Sequence, residues 1–318
     1  MRAVLAHGPG DFRLEELPDP VLPAGGLLVA VEATGVCAAD RMLWTGRHPW
    51  GVLGWPFTPG HELLGRVVAG HLPVGTRVTA EVKLPCGACP ACLHGDENLC
   101  PYGVHLGSGL SGGFADLVAL PSAARVHLVP DALTREQAVL AEPMACALHA
   151  VRRAGVRAGD RVLIAGLGGL GALAVIAARH LGASQVTALV RSDEKAALAR
   201  DLGYDDAVRD APRDAFDVGL DVSGSVDAVQ VVLRATRPGG RVGVYGVYDR
   251  PLVLDLNQLG EFGERSVVGG HLAPGCFPEA IGLLDQVHGV VTGSHPLENL
   301  HAALQPADRP RLKEIVVP

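Results

Sequence analysis

Val162-Leu163-Ile164-Ala165-Gly166-Leu167-Gly168-Gly169-Leu170-Gly171 is the stretch that decides the fold of this chain. Four apolar residues form a short buried strand, and the glycines after them read G-x-G-x-x-G. The run Ala172–Leu181 continues as a helix. In that setting the first glycine makes the turn and the second lets the backbone approach a pyrophosphate. The third lets helix and strand pack closely. Unpaired N–H groups at the helix start then suit phosphate oxygens. The same stretch excludes a membrane span. Only 17 uncharged residues lie between Arg161 and Arg179, against about 20 needed to cross a bilayer, and Gly166, Gly168, Gly169 and Gly171 interrupt them.

Outward from this turn, strands expected at 161–165, 185–190, 218–222 and 240–245 alternate with helices at 170–181 and 193–202. Such alternation predicts a parallel, doubly wound sheet. At the end of the second strand the acid that would bond an adenosine ribose hydroxyl is missing, and the chain reads Val190-Arg191-Ser192. Arg191 and Ser192 favour a 2′-phosphate there, hence NADP, with NAD as the alternative. The first 145 residues are different in character. Strands expected at 27–33, 63–69, 76–82 and 114–120 are rich in Val and Leu and punctuated by Gly and Pro. A helix at 278–287 and a strand at 314–317 close the chain. Composition changes place boundaries near 143 and 272.

The 318 residues are 48% apolar and 19% charged, and the mean hydropathy is +0.25, which excludes a disordered chain. A net charge of −7 with no basic run makes nucleic acid a poor partner. Only three basic residues are lysine (Lys83, Lys195, Lys313), which reads as compositional bias. The apolar stretch after Met1 breaks too early for a secretory signal, so a cytoplasmic protein without membrane partners is expected.

Seven cysteines divide into two groups. Cys86, Cys89, Cys92 and Cys100 follow C-x2-C-x2-C-x7-C. In a cytosolic chain four clustered thiols suit tetrahedral zinc with a closed shell rather than disulfides. The second group is sparser and mixed: Cys37, then Gly60-His61-Glu62, and much later Glu142. One thiol, one imidazole and acidic oxygens can hold zinc with an exchangeable position. Asp40, three residues after Cys37, is placed to orient His61. Cys146 and Cys276 read as small apolar fillers.

Together these motifs resemble the zinc-dependent medium-chain dehydrogenase/reductases, the alcohol, sorbitol and threonine dehydrogenase group. The likeness runs through Val36-Cys37-Ala38-Ala39-Asp40, Pro59-Gly60-His61-Glu62-Leu63-Leu64-Gly65, the four-cysteine lobe (about 84–102), Gly112-Gly113-Phe114-Ala115, Glu142-Pro143-Met144-Ala145 and Gly166–Gly171. It implies an α/β plus β chain, in which a GroES-like β-barrel catalytic domain carries an inserted Rossmann sheet. The catalytic domain would span 1–143, the Rossmann domain 144–271, and 272–318 would return to the catalytic domain, with the active site in the cleft. By the resemblance Cys37, His61 and Glu62 bind the catalytic zinc. Glu142, where ethanol-type members have cysteine, binds it or acts beside it. The four clustered cysteines bind a second, structural zinc. Gly166, Gly168, Gly169, Leu170, Gly171, Arg191 and Ser192 would hold the cofactor.

One departure matters. Members usually carry Ser or Thr two residues after the zinc cysteine and often His five after it, to relay a proton; here these are Ala39 and Met42. Thr45, His48, Glu142 or a zinc-bound water are the substitutes in view, and Trp44, Trp50 and Trp55 either line the substrate pocket or pack the loop. The expected function is hydride transfer between a secondary alcohol (polyol, cyclitol or amino alcohol) and a nicotinamide, in a homodimer or homotetramer. The rival readings are a zinc-free quinone reductase and a non-catalytic cofactor-binding sensor.

Overall fold

Hydrophobic burial sorts the chain into two units. The computed structural model describes residues 1–47, 54–248, 250–306 and 311–318. One unit comprises Met1–Glu142, Phe277–Asp285 and Val291–Pro318, and the other Pro143–Cys276 and Gln286–Val290. The second crossing falls five residues beyond the boundary expected at 272. Polar anchors hold that stretch to the second unit: Tyr245 Oη donates to Leu272 O, and Arg152 Nη1 lies 3.7 Å from Cys276 Sγ.

The first unit is built on a seven-stranded sheet. Its strands run in the order Val291–Pro296, Lys313–Val317, Leu27–Val36, Glu62–Gly70, Arg77–Ala80 and Val126–Leu128, and Leu117–Leu120 also pairs with Leu27–Val36. Strand Leu27–Val36 is the centre of this arrangement. Its Gly35 faces Glu62 on one side and Ile315 on the other, both antiparallel. Alternating residues Leu27, Val29, Leu63, Val67, Val78 and Val118 fill one core, as period-2 patterning requires. A hairpin of Arg2–Gly8 and Asp11–Glu16, not expected from composition, packs Val4, Ala6 and Phe12 into a second core with Val36, Leu43 and Phe114. The helix expected at 278–287 is shorter: Phe277–Ile281 is α-helical, and only a 3₁₀ turn, Leu284–Gln286, follows Gly282.

The second unit has six parallel strands, ordered Asp206–Val208, Gln185–Leu189, Arg161–Ala165, Phe216–Asp221, Thr236–Val244 and Ser266–Gly269. The order reverses between Arg161–Ala165 and Phe216–Asp221, the switch point at which doubly wound sheets bind ligands. Helices Gly169–His180, Asp193–Asp201 and Val226–Ala235 alternate with the strands. Among the described residues no helix is long and apolar enough to cross a membrane.

Candidate functional site

The four-cysteine lobe is assembled by local chain alone. Cys89 caps the short helix Pro90–Leu93, and the strand pair Lys83–Leu84 and Val104–His105 closes the loop. Sγ–Sγ separations are 3.5 Å for Cys89–Cys92, 3.7 Å for Cys89–Cys100 and 3.9 Å for Cys86–Cys92. A tetrahedron with metal–sulfur bonds of about 2.3 Å has edges of about 3.8 Å, so the sulfurs stand where zinc would want them. Their ionisation is uneven. Backbone N–H groups draw the Cys86 thiol down, the Cys86 N–H takes Cys100 to about 6, and burial beside other sulfurs pushes Cys92 up to about 12. Four thiolates need a cation among them.

The second group is brought together by the sheet. Gly35 and Glu62 are cross-strand partners, which sets Cys37, just past one strand, beside His61, just before the other. Ligand atoms of Cys37, His61 and Glu62 all lie within 4.8 Å of one another. Cys37 starts the helix Ala38–Trp44, and its N–H donates to Asp40 Oδ2 at 2.8 Å. Asp40 Oδ1 is 3.8 Å from His61 Nδ1, inside ion-pair range but beyond a hydrogen bond, so the direct bond of Asp40 is to the Cys37 backbone. Burial lowers the basicity of His61, yet Asp40 and Cys37 outweigh it and hold its pKa well above the ordinary value. Glu142, in the first turn of Ala141–Arg153, is 5% exposed. It lies outside the three-residue group but close enough to raise the pKa of His61.

The residue that sequence reasoning missed is Lys313. Its Nζ donates to Glu62 Oε1 at 2.5 Å and to Val36 O at 3.4 Å, and both side chains of this ion pair are buried. Glu62 Oε2 is buried with no hydrogen-bond partner. A buried carboxylate oxygen without a partner is costly, and beside a thiol and an imidazole it suits a metal cation. The donor set therefore fits zinc. Of the candidate proton carriers, Thr45 is excluded, because its hydroxyl donates back to Arg41 O at 2.9 Å and Met42 O at 3.3 Å. His48 and Trp50 lie outside the described residues. Trp44 stacks edge-on against Phe12 and His301, and Trp55 stacks on Phe57; both pack against the core.

In the second unit Gly166 has φ +110°, and a Cβ there would meet Ser223 N at 2.7 Å. A Cβ on Gly171 would sit 1.9 Å from Gly166 O, so the helix approaches the turn as only glycine allows. Gly168 caps the helix Gly169–His180, which includes Leu170, and the position of its absent Cβ opens onto free space. Lys195, also missed in the sequence, donates from Nζ to Leu167 O at 2.9 Å and so ties the helix Asp193–Asp201 to the glycine turn. Burial lowers its pKa, and the neighbouring Arg191 lowers it further. Arg191 is exposed, Val190 is buried, and the Ser192 hydroxyl accepts Lys195 N–H at 3.3 Å as a helix cap. Lys195 thus stands at the turn, and Arg191 lies within electrostatic reach of Lys195.

Residues 23–131 match the alcohol dehydrogenase GroES-like domain and residues 169–286 the zinc-binding dehydrogenase domain. Erythritol/L-threitol dehydrogenase of Mycolicibacterium smegmatis is 32% identical over 329 residues, covering 94% of this chain and 89% of that protein. The chain belongs to the zinc-dependent medium-chain dehydrogenases. Within that family, L-threonine 3-dehydrogenase of Streptomyces coelicolor is 34% identical, over 74% of this chain and 73% of its own length. A zinc-binding dehydrogenase structure from Sinorhizobium meliloti 1021, bound to NADP, superposes with a TM-score of 0.91 at 28% identity, covering 100% of this chain and 99% of that one. This dehydrogenase is thus an NAD(P)-dependent enzyme of the alcohol and polyol class, with the GroES-like and Rossmann architecture that the motifs imply.

Proposed function

We propose that this dehydrogenase oxidises a secondary alcohol, a polyol, cyclitol or amino alcohol, with NADP, and holds two zinc ions per chain. What carries the reading is the group of half-buried Cys37 and His61 with buried Glu62, with ligand atoms within 4.8 Å and one Glu62 oxygen unpartnered. Cys37, His61 and Glu62 would hold the catalytic ion, and Cys86, Cys89, Cys92 and Cys100 the structural one. Zinc in the first site would supply Lewis acidity toward the substrate oxygen. The nicotinamide, when bound, supplies the hydride acceptor.

The protein's own residues do the rest. Asp40 fixes the Cys37 backbone and keeps the imidazole of His61 in an anionic field. Ala39 and Met42 cannot take the hydroxyl proton, and the Thr45 hydroxyl donates into its own helix. Glu142, close enough to His61 to raise its pKa, is the candidate among the described residues to accept that proton, directly or through one water. With that proton on Glu142, the hydride that a bound nicotinamide would accept would balance oxidation of the secondary alcohol to a ketone. Arg191 and Lys195 support NADP, since a 2′-phosphate would meet their charge. The relatives named for erythritol, L-threitol and L-threonine act on vicinal diols or a β-hydroxy amino acid, and they motivate the substrate class.

Purified protein should contain two zinc ions, and His61→Ala one, with turnover abolished. A spectrophotometric screen of sugar alcohols, cyclitols and L-threonine with both nicotinamides should show NADP-linked oxidation. In Arg191→Ala, NADP affinity should fall about ten- to a hundred-fold while NAD affinity stays. Two ions retained in His61→Ala, or equal losses for both cofactors in Arg191→Ala, contradict the metal and the cofactor assignments respectively.

A further inference from the structure

Strand register brings a cation to the back of the metal centre. Strands Lys313–Val317, Leu27–Val36 and Glu62–Gly70 lie side by side, with Ile315 opposite Gly35 and Gly35 opposite Glu62. Directly opposed residues share a face, and so do residues two apart on one strand. Lys313, Ile315, Gly35 and Glu62 therefore all project to one side of the sheet. Any side chain at the middle position would separate the outer two. A Cβ on Gly35 would stand 1.9 Å from Glu62 Oε2, so the missing side chain opens the slot in which the carboxylate lies. Lys313 spans the middle strand, bonds Val36 O on the way and closes on Glu62 Oε1 at 2.5 Å.

The two oxygens of Glu62 are thus treated differently. Oε1 is taken by an ammonium that is itself buried, while Oε2 is left without a partner. The groups around them are Cys37, Asp40, His61 and Glu142, which interact electrostatically with Lys313, Glu62 or one another. Resting on the metal centre argued above, we propose that Lys313 is a positioning residue: it competes for the Glu62 carboxylate, keeps Oε1 off the ion, and makes the catalytic zinc weaker-bound and its coordination more exchangeable than the donor set alone would give. The physical cycle fixes the sign. In metal-free protein Lys313 neutralises Glu62 through Oε1, so zinc meets at Oε2 a carboxylate whose charge is already shared with an ammonium. Without Lys313 the metal-free state holds an uncompensated buried charge, a costly condition, and zinc binding relieves it. Removal of a residue that merely supports the fold would instead loosen the metal.

The test is zinc affinity, measured by competition with a chromophoric chelator, for the ion whose binding is lost in Cys37→Ser. Lys313→Met should hold that ion at least about tenfold more tightly than wild type, with a lower melting temperature when stripped of metal and a larger rise when zinc is restored. Lys313→Arg should stay near wild type. In a Glu62→Gln background, adding Lys313→Met should lose most of the gain, because the competition runs through Glu62. If Lys313→Met does not fold without metal, its recovery on added zinc supports the same cycle, and the Glu62→Gln background supplies the affinity comparison. Unchanged or weaker zinc binding in Lys313→Met overturns the proposal, as does a full gain in the Glu62→Gln background. Wild-type protein without a Cys37-dependent ion would instead remove the metal centre on which the proposal stands.

Discussion

The two sulfur-containing groups of the first unit solve different problems. Cys86, Cys89, Cys92 and Cys100 are one donor type gathered within fifteen residues, and their mutual spacing is already that of a tetrahedron. Cys37, His61 and Glu62 come from two strand ends, with Lys313 arriving from a third strand 251 residues later than Glu62. The lobe offers one kind of ligand, and once four thiolates bind one ion no position is left for substrate. The mixed group is embedded in carboxylates and an ammonium, so its charge can be redistributed. A site that must exchange a ligand needs that adjustability, whereas a site that staples a loop is better without it.

Substitutions that exchange these behaviours break or sharpen the contrast. The largest effect belongs to the lobe. Cys89→Ser should lose one zinc and more than about 3 kcal/mol, because structural zinc binding reaches about 10–16 kcal/mol in small peptides. At about 2–4 °C per kcal/mol, calorimetry should then record a fall of about 6–12 °C. An unchanged melting temperature together with two ions would undo the structural assignment. Next comes Glu142→Gln, which should keep two zinc ions and lose about 10²–10⁴-fold in turnover, the range for a general base. Loss of an ion in that variant would make Glu142 a ligand instead. The smallest effect is expected at Gly35→Ala, where the new methyl displaces the Glu62 carboxylate. Overpacking of this kind costs about 1–3 kcal/mol, and the catalytic ion should be lost preferentially while the lobe keeps its own. Retention of both ions with the Glu62–Lys313 pair intact in a crystal structure would show that the strand yields more easily than the contacts suggest.

Much of this was legible in the chain. The strand, glycine turn and helix around Gly166–Gly171 are consecutive, and so is the four-cysteine lobe, so spacing alone carries them. The grouping of Cys37 with His61 and Glu62 could be read only through the family likeness, since the first two stand twenty-four positions apart in sequence. Lys313 could not be read at all. Its partner is chosen by register across an intervening glycine, and nothing near it in sequence signals a buried cation. Lys195 was hidden for a related reason, because its acceptor is a backbone carbonyl of the glycine turn rather than a side chain. The short helix Phe277–Ile281 shows the opposite error. Its apolar pattern promised ten residues, but Gly282 follows and a separate 3₁₀ turn takes over.

Three of the 27 cationic side chains other than histidine are lysines, and each has an identifiable acceptor. Lys83 Nζ donates to Asn98 O at 3.0 Å in the cysteine lobe, Lys195 to Leu167 O beside the glycine turn, and Lys313 to Glu62. A compact ammonium serves such point contacts, whereas the guanidinium fork of arginine is suited to planar, bidentate partners. The scarcity that looks like compositional drift therefore leaves side-chain amines at three separate locations, two half-buried and one buried. Amine-directed acylation of this protein would report on the half-buried Lys83 at the cysteine lobe and Lys195 at the cofactor turn, with Lys313 reacting only when its strand opens, against a surface whose positive charge is almost entirely arginine.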